Sequence, residues 1–72
     1  MVRLRVLSGQ EVCKILSENG FEEVRRKGSH ILMQKTIPGG TISIPVPDHK
    51  EIRKGTLQSI IRQAQLSRKE FE

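Results

Sequence analysis

Pro38-Gly39-Gly40 constrains this chain more than any other three residues. The tripeptide is a turn signal, and on both sides of it apolar and polar residues alternate with the period of two that a strand requires. Upstream, residues 30–36 place Ile31, Met33 and Lys35 on one face and His30, Leu32 and Gln34 on the other. Downstream, Thr41-Ile42-Ser43-Ile44 returns, with Ile42, Ile44 and Val46 sharing a face. An antiparallel hairpin is predicted. Pro45 and Pro47 cannot donate to a ladder, so the second of these strands should be an edge or fray there.

A further strand is expected over 21–27, where charged ends surround Val24 and the polar character points to one solvated face. Gly28-Ser29 would turn it into the strand that begins at His30. Alternation does not decide whether Leu32 or the Ile31 and Met33 pair meets the core. His30 therefore falls either near the helices or on the open side of the sheet.

Two helices flank these strands. Ser8 can cap the amide near Glu11, and Glu11 can reach back in the capping-box pattern with Leu7 as a staple. Val12, Ile15 and Leu16 follow at helical spacing, and Asn19-Gly20 supplies a left-handed stop. Gly55-Thr56 is read as the start of the second helix, with Thr56 as its cap and Leu57, Ile60, Ile61 and Ala64 as its stripe. Leu66-Ser67 ends it, Ser67 and Glu70 form another capping box, and Phe71 folds back onto the domain. Residues 1–7 alternate as a short strand or an extended arm would.

Each helix has one apolar stripe and the sheet needs a cover. The expectation is an α+β two-layer sandwich, with both helices on one face of a three-stranded antiparallel sheet. It forms a single domain over 1–72, with its core at about 8–66.

A chain of 72 residues buries only about 60% of its unfolded surface. Any site must then be a surface groove. Thirteen Lys and Arg against eight Asp and Glu give a formal charge of +5, which favours a polyanionic partner. With Phe21 and Phe71 the only aromatic residues, recognition by stacking bases on aromatic rings is disfavoured. Cys13 alone excludes an intrachain disulfide and is expected to be a small core residue. No signal peptide or membrane-length apolar run is present, so a reducing cytoplasm is expected. Small size and the lack of a spare exposed apolar stripe favour a monomer.

Arg25-Arg26-Lys27-Gly28-Ser29-His30 is the stretch with the most chemistry. An unperturbed imidazole, with a pKa of about 6.5, can accept and donate protons near neutrality. That makes His30 a candidate general acid or base in phosphodiester cleavage, with nearby cations stabilising a pentacovalent phosphorane. The plainer alternative is a strand-end histidine that only caps the sheet. Arg26 and Lys27 are candidate phosphate contacts. Ser29 is a phosphate donor or a turn residue, and Gly28 leaves room for close approach.

His49 is a candidate substrate-binding residue beside Lys50. His30, Asp48 and His49 match no metal-ligand spacing, so no metal and no cofactor is expected. Lys54-Gly55-Thr56 resembles the tail of a nucleotide-binding loop but lacks the upstream glycine. Arg53 and Lys54 before a helix can still attract a backbone phosphate. Basic charge thus clusters twice, around 25–27 and 50–54.

Asn19-Gly20-Phe21, Arg26-Lys27-Gly28-Ser29-His30, Ile44-Pro45-Val46-Pro47 with His49, Lys54-Gly55-Thr56-Leu57 and Ile60-Ile61-Arg62-Gln63-Ala64 together resemble the HicA (YcfA-like) toxin family. The resemblance runs from Ser8 to Phe71. It implies a double-stranded-RNA-binding-like α-β-β-β-α fold, an mRNA-cleaving toxin that arrests translation, and a cognate HicB antitoxin. It also implies that His30 is the catalytic histidine and Gly28 the motif glycine. Asp48 stands where many members place histidine directly after proline, so the resemblance carries no role onto His49. Gln65 stands where many members have glycine.

The reading is a metal-independent endoribonuclease with His30 as catalytic residue. Arg26, Lys27, Gly28, Ser29, His49, Lys50 and Lys54 would contact RNA. A non-catalytic RNA-binding module, and a basic protein-interaction module, are the alternatives.

Overall fold

The computed structural model describes residues 6–71, and residues 1–5 of the expected strand or arm lie outside them. The order is α1 (Gly9–Glu18), β1 (Glu22–Lys27), β2 (His30–Ile37), β3 (Gly40–Pro47), α2 (Lys54–Ala64) and a final 3₁₀ turn (Arg68–Phe71). The three strands form one antiparallel sheet in the order β1-β2-β3. This is the expected α-β-β-β-α arrangement, and β3 with its two prolines is indeed an edge. Among the described residues, no helix is long and apolar enough to cross a membrane.

Local chemistry accounts for α1 at both ends. The Glu11 amide donates to Ser8 Oγ at 3.1 Å, and the Ser8 amide donates to Glu11 Oε1 at 3.0 Å. At its far end Gly20 adopts φ 94°, the Gly20 amide donates to the Ser17 carbonyl and the Phe21 amide to that of Leu16. That pair of bonds is the Schellman closure. It turns Phe21 into the core, where the residue is buried.

α2 departs from the sequence expectation. It begins at Lys54 with Arg53 as its N-cap and without a side-chain cap bond; Thr56 lies inside its first turn. Nothing at Lys54 or Gly55 blocks helical backbone, so the Leu57 amide pairs with the Arg53 carbonyl at 2.9 Å and the helix gains a half-turn. Ser67 is likewise not a full capping box. Its Oγ accepts from the Lys69 amide, while the Glu70 amide donates to the Ser67 carbonyl in the tighter 3₁₀ pattern.

The helix stripes and one sheet face enclose the core. Ile31 and Met33 of β2 and Ile44 and Val46 of β3 are buried, as are Val12 and Leu16 of α1. α2 adds Leu57, Ile60, Ile61 and Ala64, and Leu7, Ile52 and Phe71 close the margins. Fully burying a side chain such as Phe71 contributes about 1.5–3 kcal/mol. The choice that alternation left open is thereby made: Ile31 and Met33 face the helices, and His30 faces out. Lys35, at the rim of the apolar face, holds its ammonium 5.7 Å from the Phe21 ring centroid.

β1 differs from expectation in exposing both faces; all six of its residues are exposed. The helix stripes pack on the apolar residues of β2 and β3, and β1, which α1 also meets, forms the other edge without contributing a buried residue. A bulge between Glu23 and Arg25 interrupts its pairing, which also blunts that edge against pairing with another chain.

Gln65 adopts a left-handed backbone (φ 58°) that closes α2 through the Leu66 amide and the Ile61 carbonyl. A side chain in that region costs about 1–2 kcal/mol. Gln65→Gly is therefore expected to stabilise the fold by about 1 kcal/mol, raising Tm by about 4–8 °C. A fall in Tm on thermal melting would contradict it.

Candidate functional site

His30 opens β2 directly after the Gly28-Ser29 turn. Gly28 takes φ 58° there, and apart from its own and its two chain neighbours' atoms nothing lies within 4 Å of where its Cβ would be. The ladder pairs His30 with Lys27 on one side and with Pro47 on the other. Residues directly paired in a ladder share a face, so Lys27 and Pro47 flank the exposed imidazole. Arg25 pairs with Leu32 and joins the same face.

A groove of about 510 Å³ begins at His30, Pro45 and Pro47. Its other side is formed by His49, Glu51, Ile52, Arg53 and Thr56, from the β3–α2 loop and the first turn of α2. The groove thus runs past the β3 edge to the beginning of a helix. Free amides and the helix dipole make such a place favourable for anions.

The loop carrying His49 is held through its main chain at three points. The Asp48 amide donates to the Ser29 carbonyl at 2.6 Å, the Gly9 amide to the His49 carbonyl at 2.8 Å and the Ile52 amide to the Leu7 carbonyl at 2.8 Å. The Arg26 guanidinium adds a side-chain clamp, 2.8 Å from Asp48 Oδ2 and 3.4 Å from Glu23 Oε1. Asp48's hydrogen bond is the main cause that raises the Arg26 pKa above its ordinary value, with Glu23 adding to it.

Gly9 is what permits α1 to sit so close to this loop. A Cβ at that position would lie 2.8 Å from Asp48 Cα and would overlap the Pro47 carbonyl oxygen. The helix start and the loop meet backbone to backbone.

The residues singled out from the sequence do not all converge. His30 and His49 line the same groove, and Lys27 shares the open sheet face with His30. Arg26 pairs in the ladder with buried Ile31 and so lies on the helix side, engaged with Asp48 and Glu23. Ser29 presents its carbonyl to the Asp48 amide. Lys50 lies outside the groove, in a neighbouring depression of about 220 Å³ that it lines with Ser8, Gln10, Asp48 and His49, so that His49 borders both. Lys54 is exposed on the first turn of α2, outside the groove lining.

Glu51 and Thr56 were not read as site residues, and Arg53 only as a cation preceding the helix. Spacing held the missed signal. His49, Glu51 and Arg53 recur every second residue and line the groove, with buried Ile52 between them anchoring the stretch and lining it too.

Cys13 lies on the other side of the sheet, partly buried against the core as expected. Burial, followed by the charges of Glu23 and Asp48 and opposed by Arg26, pushes its pKa up to about 11. At pH 8 an ordinary cysteine thiol is about a quarter thiolate, whereas this one would be about 0.1%. Alkylation of the native protein by iodoacetamide is expected to be at least about 100-fold slower than in denaturant. Equal rates would refute the assignment. The sign for stability also follows. The folded thiol keeps a proton that the unfolded chain releases first, so this contribution is intact below about pH 9 and is lost as pH rises through about 11.

A family model described as "HicA toxin of bacterial toxin-antitoxin" matches residues 9–66. Comparison with curated proteins gives no match.

Proposed function

The chain belongs to the HicA toxin family, and from that premise we propose that it is a metal-independent endoribonuclease that cleaves mRNA, with His30 as a general acid or base. The observation that carries the reading is the exposed His30 imidazole at the head of a groove, with Lys27 on its own sheet face and Arg53 in the groove's far wall. An RNA phosphodiester laid there would meet a proton carrier and cations together. Cleavage would follow the intramolecular route: the ribose 2′-oxygen attacks phosphorus, the 5′-oxygen leaves, and a 2′,3′-cyclic phosphate remains. Lys27 and Arg53 would offset the charge that builds on the phosphoryl oxygens. Gly28, with open space where a side chain would stand, would let the RNA backbone approach the turn.

The metal-free form of the proposal rests on the donor set. Among the described residues, no three His, Cys, Asp or Glu side chains gather as a metal site would need. Phosphate contacts by Lys27, Ser29, Lys50 and Lys54 would extend binding beyond the groove. Arg26 would contribute by holding the Asp48 loop in place, and through whatever charge it still offers RNA. Membership of a toxin–antitoxin family implies an antitoxin partner. A HicB-like protein covering the His30 face of a cytoplasmic monomer is the arrangement proposed here.

Incubation of the purified protein with mixed-sequence RNA in EDTA tests the reading. Fragments ending in 2′,3′-cyclic phosphate are expected. Cleavage abolished by EDTA and restored by one divalent ion would overturn the metal-free mechanism. Intact RNA bound in a salt-dependent manner by folded, antitoxin-free protein would replace the nuclease with a binding module.

A further inference from the structure

We propose that His49 is the second proton carrier of the cleavage reaction, complementary to His30; the proposal rests on the endoribonuclease reading above. Cleavage needs two proton transfers on opposite sides of phosphorus. One imidazole takes the 2′-hydroxyl proton as the O2′–P bond forms. The P–O5′ bond breaks as the other imidazolium gives its proton to the leaving 5′-oxygen. The two rings exchange protonation states, water resets them, and nothing is oxidised or reduced.

The fold places His49 for such a role. His30 enters the groove from the start of β2, and Pro47, its ladder partner, is only two residues before His49 in the same groove. The bonds from the Asp48 amide to Ser29 and from Gly9 to the His49 carbonyl hold the two histidine-bearing segments in a constant relation. The other polar groups facing the groove are less suited. Arg53 cannot release its proton and the Thr56 hydroxyl is too weak an acid. A carboxylate such as Glu51 can take a proton as a base, whereas an imidazole can serve on either side of phosphorus, so a Glu51→Gln variant separates the two. Lys50 lines only the neighbouring depression, which His49 also borders, and not the groove that His30 enters.

The test is single-turnover cleavage of a short RNA by wild type, His30→Ala, His49→Ala and Glu51→Gln. Each acts on a normal 5′-oxygen linkage and on its 5′-sulfur counterpart, whose thiolate leaves without a proton. His49→Ala is expected to be about 10²- to 10⁴-fold slower on the oxygen substrate, with unchanged melting and unchanged affinity for a 2′-deoxy analogue. The sulfur substrate should restore one of the two histidine variants, the one lacking the general acid, and leave the other slow. His49→Ala within tenfold of wild type overturns the proposal. So does sulfur rescue of both histidine variants or of neither, or transfer of the loss to Glu51→Gln. Wild type that cleaves neither linkage overturns the endoribonuclease reading itself.

Discussion

His30→Ala is expected to slow RNA cleavage by about 10²- to 10⁴-fold, which is about 2.7–5.5 kcal/mol of transition-state stabilisation. Its melting temperature should stay close to that of the wild type. The two expectations belong together because the imidazole is exposed and faces away from the core formed by Ile31, Met33, Ile44 and Val46. Exposed substitutions of this kind usually change stability by less than about 0.5 kcal/mol. Paired measurements of cleavage rate and thermal melting separate the two roles. A large loss of stability with proportional loss of activity would make His30 a structural strand-end residue. Undiminished cleavage by a folded His30→Ala protein would move the chemistry elsewhere in the groove.

Gly9→Ala is expected to destabilise the fold although it adds only a methyl group. Alanine is normally preferred to glycine in a helix by about 1 kcal/mol, so propensity alone predicts a gain. Contact overrides it. The added methyl would meet the Pro47 carbonyl and Asp48 Cα, both main-chain atoms, and no side-chain rotation can move them aside. Either α1 shifts, breaking the bond from the Gly9 amide to the His49 carbonyl, or the loop shifts and carries His49 with it. A net loss of about 2–3 kcal/mol is expected from overpacking against backbone, lowering Tm by more than about 10 °C. Cleavage below both melting transitions should also fall, because the displaced loop forms one wall of the groove. A neutral or stabilising Gly9→Ala would show that the loop yields freely, and would weaken the case that its main-chain anchors position the site.

Much of this arrangement was legible in the residues. The Ser8–Glu11 capping box, the Gly20 stop, the apolar stripe of α2 and the hairpin around Pro38-Gly39 are local devices, and each depends on neighbours within a few positions. Gly9 was not legible, because its requirement comes from a loop about forty residues away and glycine beside a helix cap has many ordinary explanations. The start of α2 was misplaced because Gly55 reads as a breaker in isolation, yet its backbone continues the helix from Lys54.

The bulge in β1 shows the same division most sharply. Simple alternation would put Glu23, Arg25 and Lys27 on one face and Arg26 on the other. The ladder skips between Glu23 and Arg25, so Glu23 shares a face with Arg26 while Arg25 and Lys27 share the face of His30. The acid is removed from the neighbourhood of the two cations, and Arg26 is given two carboxylates on the helix side.

By itself, the sequence determined the elements and their order, because caps, turns and hydrophobic period are short-range properties. It also marked His30 as the residue with the most chemical potential, presented at a strand end beside cations. Tertiary structure alone decided which face His30 occupies and which charges remain beside it. It also brought His49, Glu51 and Arg53 to the same groove. Those outcomes depend on which sheet face the helices cover, on one skipped ladder position and on a backbone contact at Gly9. Each is set by packing between segments far apart in the chain.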